Sequence, residues 1–315
     1  FVGTGAGLPQ FMGIPGENLN GVYSANEFLT RVNLMHADAF PDADTPVMVG
    51  ETVAVIGAGN TAMDTVRVAL RVGAKKGMIV YRRSVKEMTA RIEEHHHAIE
   101  EGVEFHWLTN PVEVLGDEDG WVTGLRCIKM ELGEPDDSGR RRPVPIEGSE
   151  DEIPATAVIS AISQQPEIGF MEKEPERDKI ELTRWHTFDN DPETLQFSLP
   201  YLFTGGDVAT GPSLVVDAIG AGRRAARSIH QYISGEEVQG SPRSLLKSHI
   251  PESLFKTVPG VVASKRTPMP ELAVAERIDS MIEVDQVISE ADAKHESSRC
   301  LNCCRVCYNP DQKVA

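Results

Sequence analysis

Residues 52–62 read Thr52-Val53-Ala54-Val55-Ile56-Gly57-Ala58-Gly59-Asn60-Thr61-Ala62. The first five are apolar or β-branched, which is typical of a strand buried on both faces of a parallel sheet. The glycines then predict a tight turn, and the residues from Ala62 to Val72 predict a helix that ends at Gly73. A second apolar strand over 77–81 completes a βαβ unit. We therefore expect an α/β protein.

The motif Gly57-x-Gly59-x-x-Ala62, placed between a strand and a helix, is typical of a dinucleotide site. The first glycine permits the tight turn, the second lets backbone approach a pyrophosphate, and Ala62 allows close helix packing. Asn60 and Thr61 complete the turn as candidate nucleotide contacts, and the N-terminus of the helix that follows offers N–H groups to phosphates. The alternative is a glycine turn that serves structure only.

Arg82, Arg83 and Ser84 follow the second strand, where an NAD site usually has an acidic residue for the ribose 2′-hydroxyl. Guanidinium groups suit bidentate contact with a 2′-phosphate, so we expect NADPH to be the nucleotide. An exposed basic pair without a ligand is the alternative.

A second glycine motif, Gly205-Gly206-Asp207, lies between a predicted strand over 201–204 and a predicted helix over 213–233. The Asp207 carboxylate could accept hydrogen bonds from the ribityl hydroxyls of a flavin, with the helix start near Ser213 facing the anionic part. Alternatively, Asp207 is an ordinary helix cap.

Four of the five cysteines lie within eight residues near the C-terminus, as Cys300, Cys303, Cys304 and Cys307. Their thiolates, favoured by nearby arginines, could bind an iron–sulfur cluster or zinc. A buried set of thiols without metal is the third possibility. This clustering indicates a reducing compartment, so we expect a cytoplasmic protein. Cys127, in a strand-like run, is expected to be a small core residue.

Charge and hydropathy exclude several function classes. The net charge is −17, and the dense basic run Arg140–Arg142 lies in an acidic, proline-flanked loop, so nucleic-acid binding is not expected. No apolar stretch is long enough to span a membrane.

The run His95-His96-His97 belongs to a charged, exposed helix predicted over 86–101. Because consecutive helical side chains are about 100° apart, we interpret the run as a solvated face rather than a metal site.

Together, these motifs resemble the glutamate synthase small (β) subunit family of the pyridine nucleotide-disulphide oxidoreductase superfamily. The resemblance extends from residue 1 to about residue 235. Residues 53–64 with 80–84 resemble the NADPH domain of the family, 202–207 with 216–222 its flavin motif, and 11–17 with 21–25 the segment that leads into the NADPH domain.

The resemblance implies a flavin domain interrupted by an inserted, Rossmann-like NADPH domain. Thr4 and Gly5 would then end the first flavin segment, and Gln164 would lie at the nucleotide. The implied parts are the end of the first flavin segment (1–35), a linker (36–50), the NADPH domain (51–165), the second flavin segment (166–235) and a helical extension with the cysteine cluster (236–315).

For function, the resemblance implies hydride transfer from NADPH to FAD, followed by electron transfer through iron–sulfur clusters to a partner subunit or a ferredoxin-like acceptor. No catalytic side chain is predicted, because the flavin carries the chemistry. One alternative is a non-catalytic electron-transfer or adaptor subunit that docks through residues 240–315. Another is a thiol-disulfide enzyme, which needs a reactive pair among Cys300–Cys307.

The chain departs from the family in four respects. Residues 1–315 contain neither the G-x-G-x-x-G loop nor the N-terminal cysteine cluster of the family, as expected of the C-terminal part of a longer product. Ser163 stands where the family tends to have glycine, and Thr89 where it commonly has proline. We therefore expect this chain to bind NADPH but to hold FAD poorly or not at all.

Overall fold

The computed structural model describes residues 1–136, 139–240 and 264–299. The elements are β1 (Leu8–Pro9), β2 (Val22–Ser24), α1 (Ala25–Asn33), β3 (Thr52–Ile56), α2 (Asn60–Arg71), β4 (Lys76–Tyr81), α3 (Ile92–Glu100), β5 (Glu104–Trp107), β6 (Thr109–Gly116), β7 (Val122–Pro135), β8 (Arg141–Pro145), β9 (Asp151–Pro154), β10 (Ala157–Ser160), β11 (Gln164–Gln165), α4 (Asp207–Thr210), α5 (Val215–Ile233), α6 (Val274–Arg277) and α7 (Glu290–Ser298). Among these helices none combines the length and the apolar character that crossing a membrane requires.

A parallel five-stranded sheet forms the centre of the molecule. Its strand order is β2-β10-β3-β4-β5, and every neighbouring pair runs in the same direction. The strand predicted over 52–56 and the βαβ unit that follows it are confirmed, although α2 begins at Asn60 rather than Ala62. Parallel strands need a crossover between them, and α2 supplies the crossover from β3 to β4.

Two layers cover this sheet. Helices α1, α2 and α3 lie on one face, where Phe28 and Met63 pack against Val55 and Ile79. The antiparallel strands β6–β9 cover the other face. Cys127 is buried in this second layer, as predicted, and burial raises the pKa of its thiol to about 12.

The N-terminal segment contributes to two parts of the molecule. Strand β2 pairs with β10, and α1 packs against α2, so residues 22–33 belong to the same packing unit as the central sheet. The division into a flavin segment over 1–35 and an NADPH domain over 51–165 stays a prediction. Earlier in the segment, β1 pairs with β11, and Val2 bridges Thr204.

The residues from 166 to 235 surround a small separate core. Its buried members are Met171, Phe188, Phe197, Leu199 and Val208. The helix predicted over 213–233 is confirmed as α5. The strand expected over 201–204 is reduced to isolated bridges, because Phe203 pairs only with Gln196 and Thr204 only with Val2.

Residues 264–299, which we call the strap, pack against α2 and α3 through a buried ion network. The carboxylate of Glu101 lies 2.9 Å from Arg67 Nη2, 3.1 Å from Arg71 Nη1 and 3.1 Å from Nε of the strap residue Arg277. Arg71 also donates to the carbonyl oxygens of Arg277 and Ser280. Burial alone would raise the pKa of Glu101, but hydrogen bonds and charges from Arg67 and Arg71 outweigh it and lower that pKa.

The histidine run is not the solvated face that the sequence predicts. His95 and His97 are buried, and the helix is shorter than predicted, covering Ile92–Glu100. The His95 ring packs against Phe105 at 4.8 Å between ring centroids, and His97 Nε2 lies 3.2 Å from Glu271 Oε2 of the strap. The two side chains leave the helix about 200° apart, so each meets a different covering element.

Replacing Glu101 with Gln should lower the free energy of unfolding by about 3–5 kcal/mol, since three buried guanidinium groups would lose their shared carboxylate. Urea unfolding at pH 7 measures this change. Arg126→Gln is the matched control, because Arg126 pairs with Glu113 and Glu152 where its side chain is 42% exposed, so its loss should change stability little. Equal effects of the two substitutions would show that the buried network does not hold the strap.

Ser163 has a φ of 126°, a conformation that favours glycine, which is the residue the family tends to have there. Ser163→Gly should therefore raise the free energy of unfolding by about 1 kcal/mol. Ser234, with φ of −77°, provides the control, because glycine there only gains freedom in the unfolded chain and should destabilise. A thermal or urea denaturation series on both variants decides the matter; a destabilised Ser163→Gly protein would contradict the assignment of strain.

Candidate functional site

A crevice of about 820 Å³ opens at the carboxyl ends of β3, β4 and β10. In open parallel sheets, ligands bind outside the carboxyl ends of the strands. The predicted site residues that line the crevice are Gly57, Gly59, Thr61, Arg82, Arg83 and Gln164. The structure thus brings together residues from three separate parts of the sequence.

Gly57 makes the first turn of the crevice possible. Its φ is 129°, its N–H donates to the Val80 carbonyl oxygen at 3.0 Å, and a Cβ at this position would lie 2.4 Å from the Ala161 carbonyl oxygen. A residue with a side chain could not adopt this φ so close to the Ala161 carbonyl oxygen. Only glycine therefore allows the chain to turn here, between the end of β3 and the start of α2. This is the role that the sequence predicts for the first glycine of the motif.

The N-terminus of α2 faces the crevice. Gly59 is its N-cap, no side chain caps it, and its first turn contains no acidic residue. The positive end of the helix dipole therefore carries no internal counter-charge. Asn60 Oδ1 accepts a hydrogen bond from Arg91 N at 2.8 Å, which ties the loop before α3 to this end of α2. Ala62 is fully buried, as close packing of helix on strand requires.

The two arginines after β4 have different surroundings. Arg82 is exposed at the crevice, whereas Arg83 is buried, with Nη2 2.6 Å from Asp136 Oδ2 and Nε donating to the Arg141 carbonyl oxygen at 2.8 Å. Desolvation, and next the neighbouring Arg83 cation, lower the pKa of the Arg82 guanidinium. A bound anion would relieve this repulsion, so Arg82 is the better placed of the two for a phosphate.

The opposite wall comes from the N-terminal segment and the end of β10. Gln164 lies in β11, paired with Pro9, and the Ser160 hydroxyl donates to the Gln10 carbonyl oxygen at 3.0 Å. Thr89 lies near Gly59, and its N–H donates to the Ala58 carbonyl oxygen at 3.2 Å, a bond that a proline there would lack.

The residues predicted to contact a flavin lie in a separate group outside this crevice lining. They are Thr4, Gly5, Gly206, Asp207 and Ser213. The Val2–Thr204 bridge places the segment with Thr4 and Gly5 beside the glycine motif. Asp207 Oδ1 accepts the Ser213 N–H at 3.2 Å, so this carboxylate holds the loop before α5.

The cysteine motif, Cys300, Cys303, Cys304 and Cys307, lies outside the described residues, and its role as a metal site stays a prediction. Within the described ranges, ligand atoms of His97, Glu271 and Asp285 come within 4.8 Å of one another. A guanidinium nitrogen of Arg277 is 3.6 Å from Glu271, however, so a cation already balances this group.

Arg140 and Asn110 are among the polar crevice residues that were not selected from the sequence. Arg140 lines the crevice from the connection between β7 and β8, and Asn110 from the start of β6. The run Arg140–Arg142 was visible as a basic cluster, but no local pattern shows that it meets residues following β4. Asn110 carries no signal of its own, because isolated asparagines are common in loops and strand ends.

Comparisons with known proteins agree with this geometry. The chain is 36% identical to the NADP(+)-dependent formate dehydrogenase subunit beta of Moorella thermoacetica over 97% of its length, and 39% identical to the glutamate synthase (NADPH) small chain of Azospirillum brasilense over 73%. It spans only 42% and 48% of these relatives. Mycobacterium tuberculosis FprA, solved in complex with NADPH, is similar in fold, with a TM-score of 0.57, 19% identity, and coverage of 76% of this chain and 65% of FprA.

A family model described as pyridine nucleotide-disulphide oxidoreductase matches residues 1–222, which is more than half of the chain. This match agrees with the resemblance seen in the sequence. The chain belongs to the pyridine nucleotide-disulphide oxidoreductase family.

Proposed function

We propose that this chain binds NADPH in the crevice and belongs to an NADPH-dependent flavin oxidoreductase of the glutamate synthase small-subunit type. The observation that carries the proposal is the convergence of the Gly57 turn, the uncapped N-terminus of α2 and the Arg82 cation on one opening. The relatives named above support it, since both names include NADP(+) or NADPH.

The residues present fit the nucleotide. Backbone at Gly57 and Gly59 would approach the pyrophosphate, which the N–H groups at the start of α2 would bind. Arg82 would contact the 2′-phosphate of NADPH. NADH has an uncharged hydroxyl in its place, which cannot form a charged pair with a guanidinium group. Bound NADPH would supply a hydride, and the part of this chain is to hold and orient the nucleotide while the crevice walls limit water around it.

For FAD we propose that this chain supplies only part of the site. The glycine motif, Thr4 and Gly5 lie together, but no phosphate-binding loop of the G-x-G-x-x-G type for the flavin occurs in the sequence. Among the residues that the structure describes, the start of α5 also exposes a large apolar surface: Leu214, Val215, Val216 and Ile219 are each more than 60% exposed.

Electron transfer onward would use the cysteine motif that follows the strap, with an iron–sulfur cluster as its cofactor and a partner subunit or ferredoxin-like protein as acceptor. The Moorella thermoacetica relative is named as a subunit, which supports assembly with a partner. The second candidate function, a non-catalytic electron-transfer or adaptor subunit, is favoured by the firm attachment of the strap next to this motif. The cytoplasmic location stays a prediction.

Replacing Arg82 with Gln should raise the Kd for NADPH by at least about tenfold and leave the Kd for NADH nearly unchanged. Only NADPH carries the 2′-phosphate, so only its complex loses a hydrogen bond between charged groups. Isothermal titration calorimetry with both nucleotides measures the two constants. Arg126→Gln, on the far layer of the molecule, is the control and should alter neither. Equal weakening of NADPH and NADH would refute the 2′-phosphate contact.

Anaerobic absorbance spectra test the flavin half of the proposal. This chain and a form extended at its N-terminus are purified anaerobically, and spectra are recorded before and after NADPH addition. We expect flavin bands only in the extended form, bleached by NADPH. Flavin bands that NADPH does not bleach would favour the adaptor function. A lack of flavin in both forms would remove the flavin assignment and leave an NADPH-binding unit.

A further inference from the structure

Arg140, just before β8, brings a residue of the antiparallel layer to the nucleotide crevice. Asp136 follows β7, and Arg140 precedes β8, and the Asp136 N–H donates to the Arg140 carbonyl oxygen at 2.8 Å. Arg140 lines the same crevice as Arg82, and the two charges interact. A cation from another layer of the molecule therefore stands beside the arginine that follows β4.

Arg83 fixes this connection to the end of β4. Its guanidinium is bonded on two sides, to the Asp136 carboxylate after β7 and to the Arg141 carbonyl oxygen at the start of β8. The side chain is only 7% exposed. Because both contacts are within the protein, Arg83 serves to place the two strand ends, and with them Arg140.

The charges around this point favour an anion. Arg82, Arg83 and Arg140 gather there, and the Asp136 carboxylate that faces them is paired with Arg83. Desolvation is the largest cause of the lowered pKa of Arg82, and the Arg83 charge is the next. The Arg140 charge also lowers this pKa, so the two guanidinium groups repel each other. A phosphate monoester dianion between Arg82 and Arg140 would turn this repulsion into two attractive contacts.

We propose that Arg140 is the second cation of the 2′-phosphate site and that Arg83 is a positioning residue that holds Arg140 there through Asp136 and Arg141. This inference rests on the proposed binding of NADPH. It divides the adjacent arginines after β4 by role, since Arg82 contacts the phosphate directly and Arg83 acts through the β7–β8 connection.

The first test compares Arg140→Gln with Arg142→Gln. Arg142 is exposed and does not line the crevice, so it serves as a control of equal charge two residues away. With 2′,5′-ADP and 5′-ADP as probes, Arg140→Gln should weaken 2′,5′-ADP binding about tenfold and leave 5′-ADP unchanged. Arg142→Gln should change neither. The same preference is then measured with NADPH and NADH.

The second test uses Asp136→Asn to separate positioning from direct contact. If Arg83 places Arg140, this substitution should weaken 2′,5′-ADP binding in the otherwise unchanged protein and have no further effect in the Arg140→Gln background. If Arg83 instead binds the phosphate itself, releasing it from Asp136 should leave binding equal or tighter. Circular dichroism confirms that each variant is folded.

The outcomes separate this inference from the proposed function. A wild-type chain that prefers NADPH, loses the preference on Arg82→Gln and keeps it on Arg140→Gln would overturn the inference and leave the proposed function standing. A wild-type chain without any preference for 2′,5′-ADP over 5′-ADP would overturn both. Loss of preference in Arg140→Gln, with Arg142→Gln unaffected, supports the inference.

Discussion

The close passage of two backbone segments at Gly57 is the contact on which the crevice depends. The Ala161 carbonyl oxygen occupies the space that a side chain at residue 57 would need. Strand β10, which ends just before Ala161, is paired on both edges, with β2 and with β3. A larger residue at position 57 would push the end of β10 away from both neighbours, and it would displace the Ser160 hydroxyl from Gln10. The glycine turn and the end of β10, which form two sides of the crevice, thus both depend on the absence of a side chain at residue 57.

Local patterns were sufficient for the elements whose neighbours are close in sequence. The run of β-branched residues in β3, the glycine turn and the small residue Ala62 identified the βαβ unit, because each acts on residues within one turn or strand. The N-cap of α1 is a similar case: Ser24 accepts the Glu27 N–H, as a serine three residues before a glutamate predicts.

Features that depend on distant partners could not be read from the sequence. His97 looked solvated within its helix, but the strap that buries it comes from residues more than 160 positions later. Arg82 and Arg83 looked equivalent as a basic pair, yet Arg82 is exposed at the crevice, whereas Arg83 is buried and bonded to Asp136 and to the Arg141 carbonyl oxygen. The residues predicted to contact a flavin lie together, but no motif indicated that the Asp207 carboxylate would accept the Ser213 N–H before α5.

The attachment of the strap also has a consequence for the order of folding. Arg277 and Glu100 are 177 positions apart, and Arg71 bonds a strap carbonyl oxygen 206 positions later. Bringing residues so far apart in sequence together costs chain entropy before any contact forms. The strap therefore gains contact free energy only when its partners on α2 and α3 are already in place. Helices α2 and α3 must therefore exist before the strap can dock. Docking of the strap therefore marks the point at which the unit built on the parallel sheet has finished folding.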